Sequence, residues 1–201
     1  MRNELPQLLA RNGGEVVREH GDGDEEVVRL VYGCHALPEG GSFRRLSLHP
    51  RLLGPVQQLL REDVYIHQTR LNPKQGFGGG SWSWHQDFGT WSLVDGMAEP
   101  RAVMAAVFLD EATAANAPLL IVPGSQNHGL IDTASRDTEQ GYVIRKVDRQ
   151  TLSRLVDEGG LEALTGPAGS VALLHCNSKS PFILHTPPSY GLPPPLPAPS
   201  A

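Results

Sequence analysis

Hydrophobic positions along this chain come in short blocks, each closed by glycine, proline or a polar cluster. Asn3 to Ala10 reads as the end of a helix, stopped by the Asn12-Gly13-Gly14 breaker. An acidic, glycine-containing loop at 21–26 leads into a strand over Glu26 to Tyr32. Pro50 to Arg61 reads as a helix. Pro50 suits the first turn, and Leu52, Leu53, Val56, Leu59 and Leu60 recur at helical spacing. Gly54-Pro55 inside that pattern predicts a kink or a delayed start. Val64 to Asn72 reads as a strand whose alternation puts Val64, Ile66, Gln68 and Arg70 on one face. That face changes from apolar to polar along its length. The change suits either a barrel interior approaching a site or a strand end emerging into water.

Gly76 to Gly80 holds four glycines in five residues and reads as a loop. Ala102 to Leu109 is an unbroken apolar run, expected as a central strand. Leu119 to Val122 is a short strand ending in the Pro123-Gly124-Ser125 turn. Arg149 to Asp157 is a helix stopped by Gly159 and Gly160. Ser170 to Cys176 is a further apolar strand, entered through the Gly166-Pro167-Ala168-Gly169 turn. Several short strands with two or three helices predict a mainly β fold, a sandwich or jelly-roll barrel with helices packed outside. From Pro187 to Ala201, seven of fifteen residues are proline, a composition that forms neither helix nor sheet. The expected organisation is one domain over 1–186 and a proline-rich, extended or disordered tail over 187–201.

Composition narrows the function classes. A length of 201 residues fits one domain with a real core. Hydrophobic residues make up 39% and charged residues 19%, the balance of an ordinary soluble globular protein. A formal net charge of -5 argues against a basic stripe and hence against a nucleic-acid partner. No apolar run approaches the ~20 residues needed to cross a bilayer, and the N-terminus lacks the apolar core of a signal peptide. The expectation is a cytoplasmic protein with no membrane partner. Cys34 and Cys176 are far apart and belong to no CxxC pair, so they read as two reduced, partly buried thiols.

The densest chemistry lies in Trp82-Ser83-Trp84-His85-Gln86-Asp87-Phe88. His85 and Asp87 are one residue apart, so on a strand they share a face. One imidazole and one carboxylate on one face supply two thirds of a 2-His-1-carboxylate facial triad, which holds Fe(II) and leaves positions open for co-substrate and oxygen. By itself the pair fits a surface histidine near an aspartate better than a metal site. All three tryptophans, at 82, 84 and 91, crowd it. They either wall a dry cavity or pack a core.

Further blocks accompany this one: Tyr65-Ile66-His67-Gln68-Thr69-Arg70-Leu71-Asn72, then Trp84 to Trp91, then Asp95-Gly96-Met97, Ala117 to Ser125, and Thr165 to Val171. Together, in this order and spacing, they resemble the phytanoyl-CoA dioxygenase family on its ectoine-hydroxylase side, from about Glu15 to Asn177. The resemblance implies a double-stranded β-helix, a jelly-roll of cupin-like type. It implies an oxygenase that uses Fe(II), 2-oxoglutarate and molecular oxygen to hydroxylate a small molecule, ectoine-like or amino-acid-derived. It places iron on His85 and Asp87, and Arg70 beside a 2-oxoglutarate carboxylate, where a guanidinium fork suits the anion. Trp82 would pack beside 2-oxoglutarate, and Gln68 and Trp91 would contact substrate. The oligomeric state is not implied.

The chain departs from the pattern in places. The ectoine enzymes carry an acidic residue in the place of Gly89 and a histidine in that of Ser92, which puts ectoine itself in doubt as substrate. The family's second iron histidine falls at Ser180 here, and no arginine follows Arg154 to take the far 2-oxoglutarate carboxylate. Two histidines could stand in. His175 ends a strand and His185 lies five residues past the expected place. His185 is preferred as the third ligand, since a loop adapts more than a strand. These departures lead to the expectation of a barrel incomplete at its C-terminus, with an open sheet edge, from a truncated or frameshifted reading frame. The alternative function is a degenerate, non-catalytic homologue acting only as a binding protein, its tail offered to an SH3-like groove. A cupin-like metal hydrolase or isomerase ranks last, because no second carboxylate motif lies near His85.

Overall fold

A computed structural model gives the fold and describes residues 1–20, 26–73, 82–131, 144–180 and the backbone of 136–137. The glycine loop at 76–80, His185 and the proline-rich tail lie outside the described residues.

The N-terminal half is a three-stranded sheet backed by helices. A 3-10 turn at Arg2–Glu4 runs into α1 (Leu5–Leu9). β1 (Val16–His20) pairs antiparallel with β2 (Glu26–Tyr32), with an irregularity between Val17 and Arg18. β3 (Arg70–Leu71) adds to β2 through Val31↔Leu71 and Tyr32↔Arg70. Leu8, Val28, Val31, Cys34, Phe43 and Leu71 form the core between sheet and helices. Two helices, α2 (Gly41–Ser47) and α3 (Pro50–Leu60), connect β2 to β3.

The kink expected at Gly54-Pro55 does not break α3, which is one helix with Pro55 inside it. Pro55 costs the helix its bond to the Arg51 carbonyl, while Gly54, which has no Cβ, spares it the clash with a preceding side chain. The strand expected over Val64 to Asn72 shrinks to Arg70–Leu71. Gly33 turns the chain away after β2 at a φ of 64°, so residues 64–69 have no ladder to join. Only Thr69 reaches back, its carbonyl accepting from Gly33 N at 2.9 Å.

The second half contains α4 (Asp87–Val94), β4 (Val103–Val107), β5 (Leu119–Ile121), β6 (Arg136–Asp137), β7 (Ile144–Arg145), α5 (Arg149–Gly159), β8 (Glu162–Leu164) and β9 (Val171–His175). β4 pairs with β9, β5 with β8 and β6 with β7, each antiparallel. The strands foreseen at 102–109, 119–122 and 170–176 are therefore present, as is the helix after Asp148. Asp148 caps that helix by accepting from Thr151 N, and Gly160 ends it at a φ of 76°.

The described residues differ from the expected mainly β, C-terminally incomplete barrel in helix content and do not show its closure. There are five α-helices among the described residues, and they hold more residues than the strands do. The described strands form four separate small sheets, and among the described residues these do not close into a barrel. The physical reason is length. Several strands are two or three residues long, and β4, expected at a sheet centre, has β9 as its one strand partner among the described residues.

Candidate active site

The His85–Asp87 pair is not on a strand. His85 makes only isolated bridges, to Lys146 on one side and Ser180 on the other, and Asp87 is the first residue of α4. Gln86 between them is extended, at φ -116° and ψ 128°. Asp87 in the first turn complements the positive end of the helix. The helix is anchored by Phe88 and Trp91, one turn apart, which pack with Cys176 against Met97 and Ala102. The strand-to-helix switch still brings the two side chains together: His85 Nε2 and Asp87 Oδ1 are 3.7 Å apart, and both residues are buried.

The surroundings fix the state of each group. His85 Nδ1 lies 2.6 Å from the Ser83 carbonyl. A carbonyl only accepts, so Nδ1 carries a hydrogen and Nε2 is the ring nitrogen turned towards Asp87. Arg70 Nη2 donates to Asp87 Oδ1 at 3.2 Å, and Arg70 Nε donates to Gln68 Oε1 at 2.6 Å. Burial pushes the Asp87 carboxyl up, but the Arg70 guanidinium and the His85 ring more than offset it, holding it well below the usual carboxylate range. The folded chain therefore presents Asp87 as an ionised carboxylate, the form a metal requires.

The aromatic residues divide. Trp82 lies 6.4 Å from the His85 ring and carries the guanidinium of Arg29 at 4.0 Å on its face. Arg29 is buried and ion-paired with Glu19. Trp91 is buried, with His67 edge-on at 4.9 Å and the Arg70 guanidinium 5.8 Å from its ring centre. His67 Nε2 in turn meets Asp95 Oδ2 at 3.1 Å. The Trp91 indole Nε1 is buried with no hydrogen-bond partner, and so is Asn72 Oδ1, one residue past the strand that supplies Arg70. Gln68, Arg70, Trp82, His85, Asp87 and Trp91 thus form one connected cluster. A Cβ at Gly89 would meet Arg145 Cβ and Cδ and Leu130 Cδ1 at 3.5 Å, ordinary contact distance.

The described residues do not supply a third ligand. Among the described residues, no group of three His, Cys, Asp or Glu side chains is placed to hold a metal, so His175 does not join the pair. Its Nδ1 accepts from Asn177 N at 3.1 Å, which caps the turn after β9 instead. Partial burial and the nearby Lys179 push its pKa down, consistent with an accepting ring nitrogen. His185 lies outside the described residues. Ser180 exchanges both backbone hydrogen bonds with His85, at 3.3 and 3.1 Å, so it occupies the position directly across from the site histidine. Both cysteines are buried and burial raises their thiol pKa values, as expected of inert thiols.

The phytanoyl-CoA dioxygenase (PhyH) family matches residues 1–178. The chain belongs to that family. It is 37% identical over 196 residues to L-proline trans-4-hydroxylase of Streptomyces griseoviridis, covering 92% of this chain and 69% of that one. It is 35% identical over 189 residues to ectoine dioxygenase of Halomonas elongata, covering 89% of this chain and 55% of that one. Among solved structures, EctD from S. alaskensis with 2-oxoglutarate and 5-hydroxyectoine superposes with a TM-score of 0.75 at 31% identity, over 91% of this chain and 60% of that one. The same protein with bound Fe gives 0.73. The chain thus spans little more than half the length of the ectoine dioxygenases it matches. Among the described residues, no helix is long and apolar enough to cross a membrane.

Sequence reasoning missed Asn72 and His67 as neighbours of the site, although both lie inside the block that carried Arg70. It also missed Gln86, because a residue between two candidate ligands gives no signal of where its own side chain goes.

Proposed function

We propose that this chain is the oxygenase unit of an Fe(II)/2-oxoglutarate-dependent hydroxylase acting on a small amino-acid-derived molecule, with iron held by His85 and Asp87. The observation that carries this reading is the buried Nε2–Oδ1 pair at 3.7 Å, with Arg70 keeping the carboxylate ionised. The donor set fits two of the three protein positions of a facial triad. His185 remains the proposed third donor. Bound there, Fe(II) would supply, with 2-oxoglutarate and oxygen, the oxidising power to hydroxylate an unactivated C–H bond.

The protein's own contribution is orientation and charge. Ser83 holds the imidazole in the tautomer that leaves Nε2 open. Arg70 backs Asp87, and its fork suits a 2-oxoglutarate carboxylate beside the metal. Trp82 shields that side from water. Gln68, Asn72 and the Trp91 N–H are the polar groups left for ligand. The unpartnered indole donor suits the carboxylate of a compact amino or imino acid. The named activities of the relatives, on proline and on ectoine, support that substrate class. Because those relatives are named as enzymes, a purely binding homologue gains no support.

The test is anaerobic addition of Fe(II) and 2-oxoglutarate to the purified chain. The expected result is a weak visible charge-transfer band that His85→Ala abolishes, followed by succinate formation with L-proline or ectoine. A wild-type chain that retains no iron and shows no band would sink the reading.

A further inference from the structure

Behind the His85–Asp87 pair lies a second polar cluster that metal binding does not use. Gln86 is buried, and both ends of its amide are engaged. Its Nε2 donates to the Gly129 carbonyl at 2.9 Å and to Asn177 Oδ1, and its Oε1 accepts from Ile131 N at 2.9 Å. Asn177 Nδ2 donates to the carbonyls of Gln126 at 2.9 Å and Gly129 at 3.0 Å. Lys179, fully buried, donates from Nζ to the carbonyls of Ser125 at 2.7 Å, Gly129 at 3.0 Å and Asn177 at 3.3 Å. Its backbone N donates to Ser125 Oγ at 2.9 Å.

Gly129 is the hub. Its φ of 66° and ψ of -164° fall in a region open almost only to glycine. That conformation aims one carbonyl at three donors. The loop at 123–131 and the segment leaving β9 are thereby fused into a single platform, and Gln86 is the residue that ties the site to it.

Location separates this cluster from ordinary core polarity. Gln86 is the one residue between the two ligand candidates, and its backbone makes the change from extended to helical. Its neighbours are pinned independently: His85 to Ser180, and Phe88 N to the Cys176 carbonyl at 3.0 Å. A rotation at Gln86 would swing Asp87 relative to His85. An amide fixed at both ends by a buried platform resists that rotation, since any move leaves buried polar groups unpaired.

We infer that Gln86, clamped by Asn177, Gly129 and Ile131, is a positioning residue that locks the strand-to-helix switch and so sets the metal-binding geometry of His85 and Asp87. The inference rests on the metal reading given above. It extends it to a residue that touches neither metal nor co-substrate.

The test compares wild type with Gln86→Met, which keeps length but loses the amide, and Gln86→Asn, which keeps the amide but shortens its reach. Two readouts are taken on the full chain. Co(II), an oxygen-insensitive stand-in for Fe(II), is titrated by calorimetry. The His85 ring tautomer is read without metal by nitrogen NMR. Gln86→Met is expected to weaken Co(II) binding about 10- to 100-fold and to add a second tautomer, with Gln86→Asn intermediate. Folded variants that bind Co(II) within about twofold of wild type and keep a single tautomer would overturn the proposal, whatever their melting temperatures. If Gln86→Met does not fold, Gln86→Asn decides by the same criteria. If wild type binds no Co(II), the metal reading fails, and the tautomer comparison still decides whether Gln86 positions His85.

Discussion

At the scale of single residues, the site is organised around one buried carboxylate. Asp87 is tolerable in the interior because Arg70 meets it at 3.2 Å, and Arg70 is itself held by Gln68. Removing the cation leaves an uncompensated buried charge. Arg70→Ala is therefore expected to cost about 3 kcal/mol of stability, measured by urea unfolding. Arg70→Ala/Asp87→Asn should recover most of that loss, because the charge is gone as well. A double variant as unstable as the sum of the two singles would show that the pair is not coupled. Ser180 offers the converse experiment. Directly paired residues on antiparallel strands place their side chains on one face with Cβ atoms about 4.5–5.5 Å apart, so Ser180→His would set an imidazole beside His85. Iron affinity should rise at least tenfold in equilibrium dialysis. An unchanged affinity would mean that the third ligand is already supplied from elsewhere, or that the paired face points away from the metal.

At the scale of elements, close approach rather than propensity decides much of the packing. α5 ends against the loop that carries the polar platform. A Cβ on Gly159 would lie 2.3 Å from the Pro123 carbonyl oxygen, a backbone atom that cannot swing aside. Gly159→Ala should destabilise the chain by about 1–3 kcal/mol, readable as a lower urea midpoint. A neutral result would mean that the helix end shifts freely. The sequence marked Gly159 as a helix stop, yet it is the last residue of the helix and the stop is Gly160. Two adjacent glycines look alike in sequence; here one is needed for its positive φ and the other for its missing side chain. Gly54-Pro55 shows a similar dependence on a neighbour: α3 runs on through Pro55, and Gly54 removes one of the clashes that a proline makes in a helix.

At the scale of the whole molecule, acid sensitivity should trace to the site. The Asp87 carboxyl is held below its ordinary value of 3.8 in the folded chain. A depressed carboxyl adds stability that is fully present above the unfolded value and is lost as pH falls towards the folded one. The stabilisation should thus be constant from neutrality to about pH 5 and decline below pH 4. Unfolding midpoints between pH 6 and pH 3 should fall steeply for wild type. Asp87→Asn should start lower and fall less. Parallel curves for the two proteins would mean that other carboxylates govern the acid limb.

Much of the fold was legible because it depends on local pattern. The strand at Glu26–Tyr32, the apolar runs at β4, β5 and β9, and the helices α3 and α5 follow from spacing, caps and breakers that neighbouring residues supply. The proposed site residues came from motif blocks, and His85, Asp87, Arg70 and Gln68 lie together in the structure. What the sequence could not determine depends on partners distant in the chain. The stretch at 64–69 looks like a strand, but a strand needs a neighbour, and Gly33 turns β2 away. His85 and Asp87 look like two residues of one strand, but a helix starts between them because Phe88 and Trp91 find Cys176 to pack against. Gln86, Asn177 and Lys179 carry no shared signature, since side chains nearly a hundred residues apart meet only when the tertiary structure folds Gly129 between them.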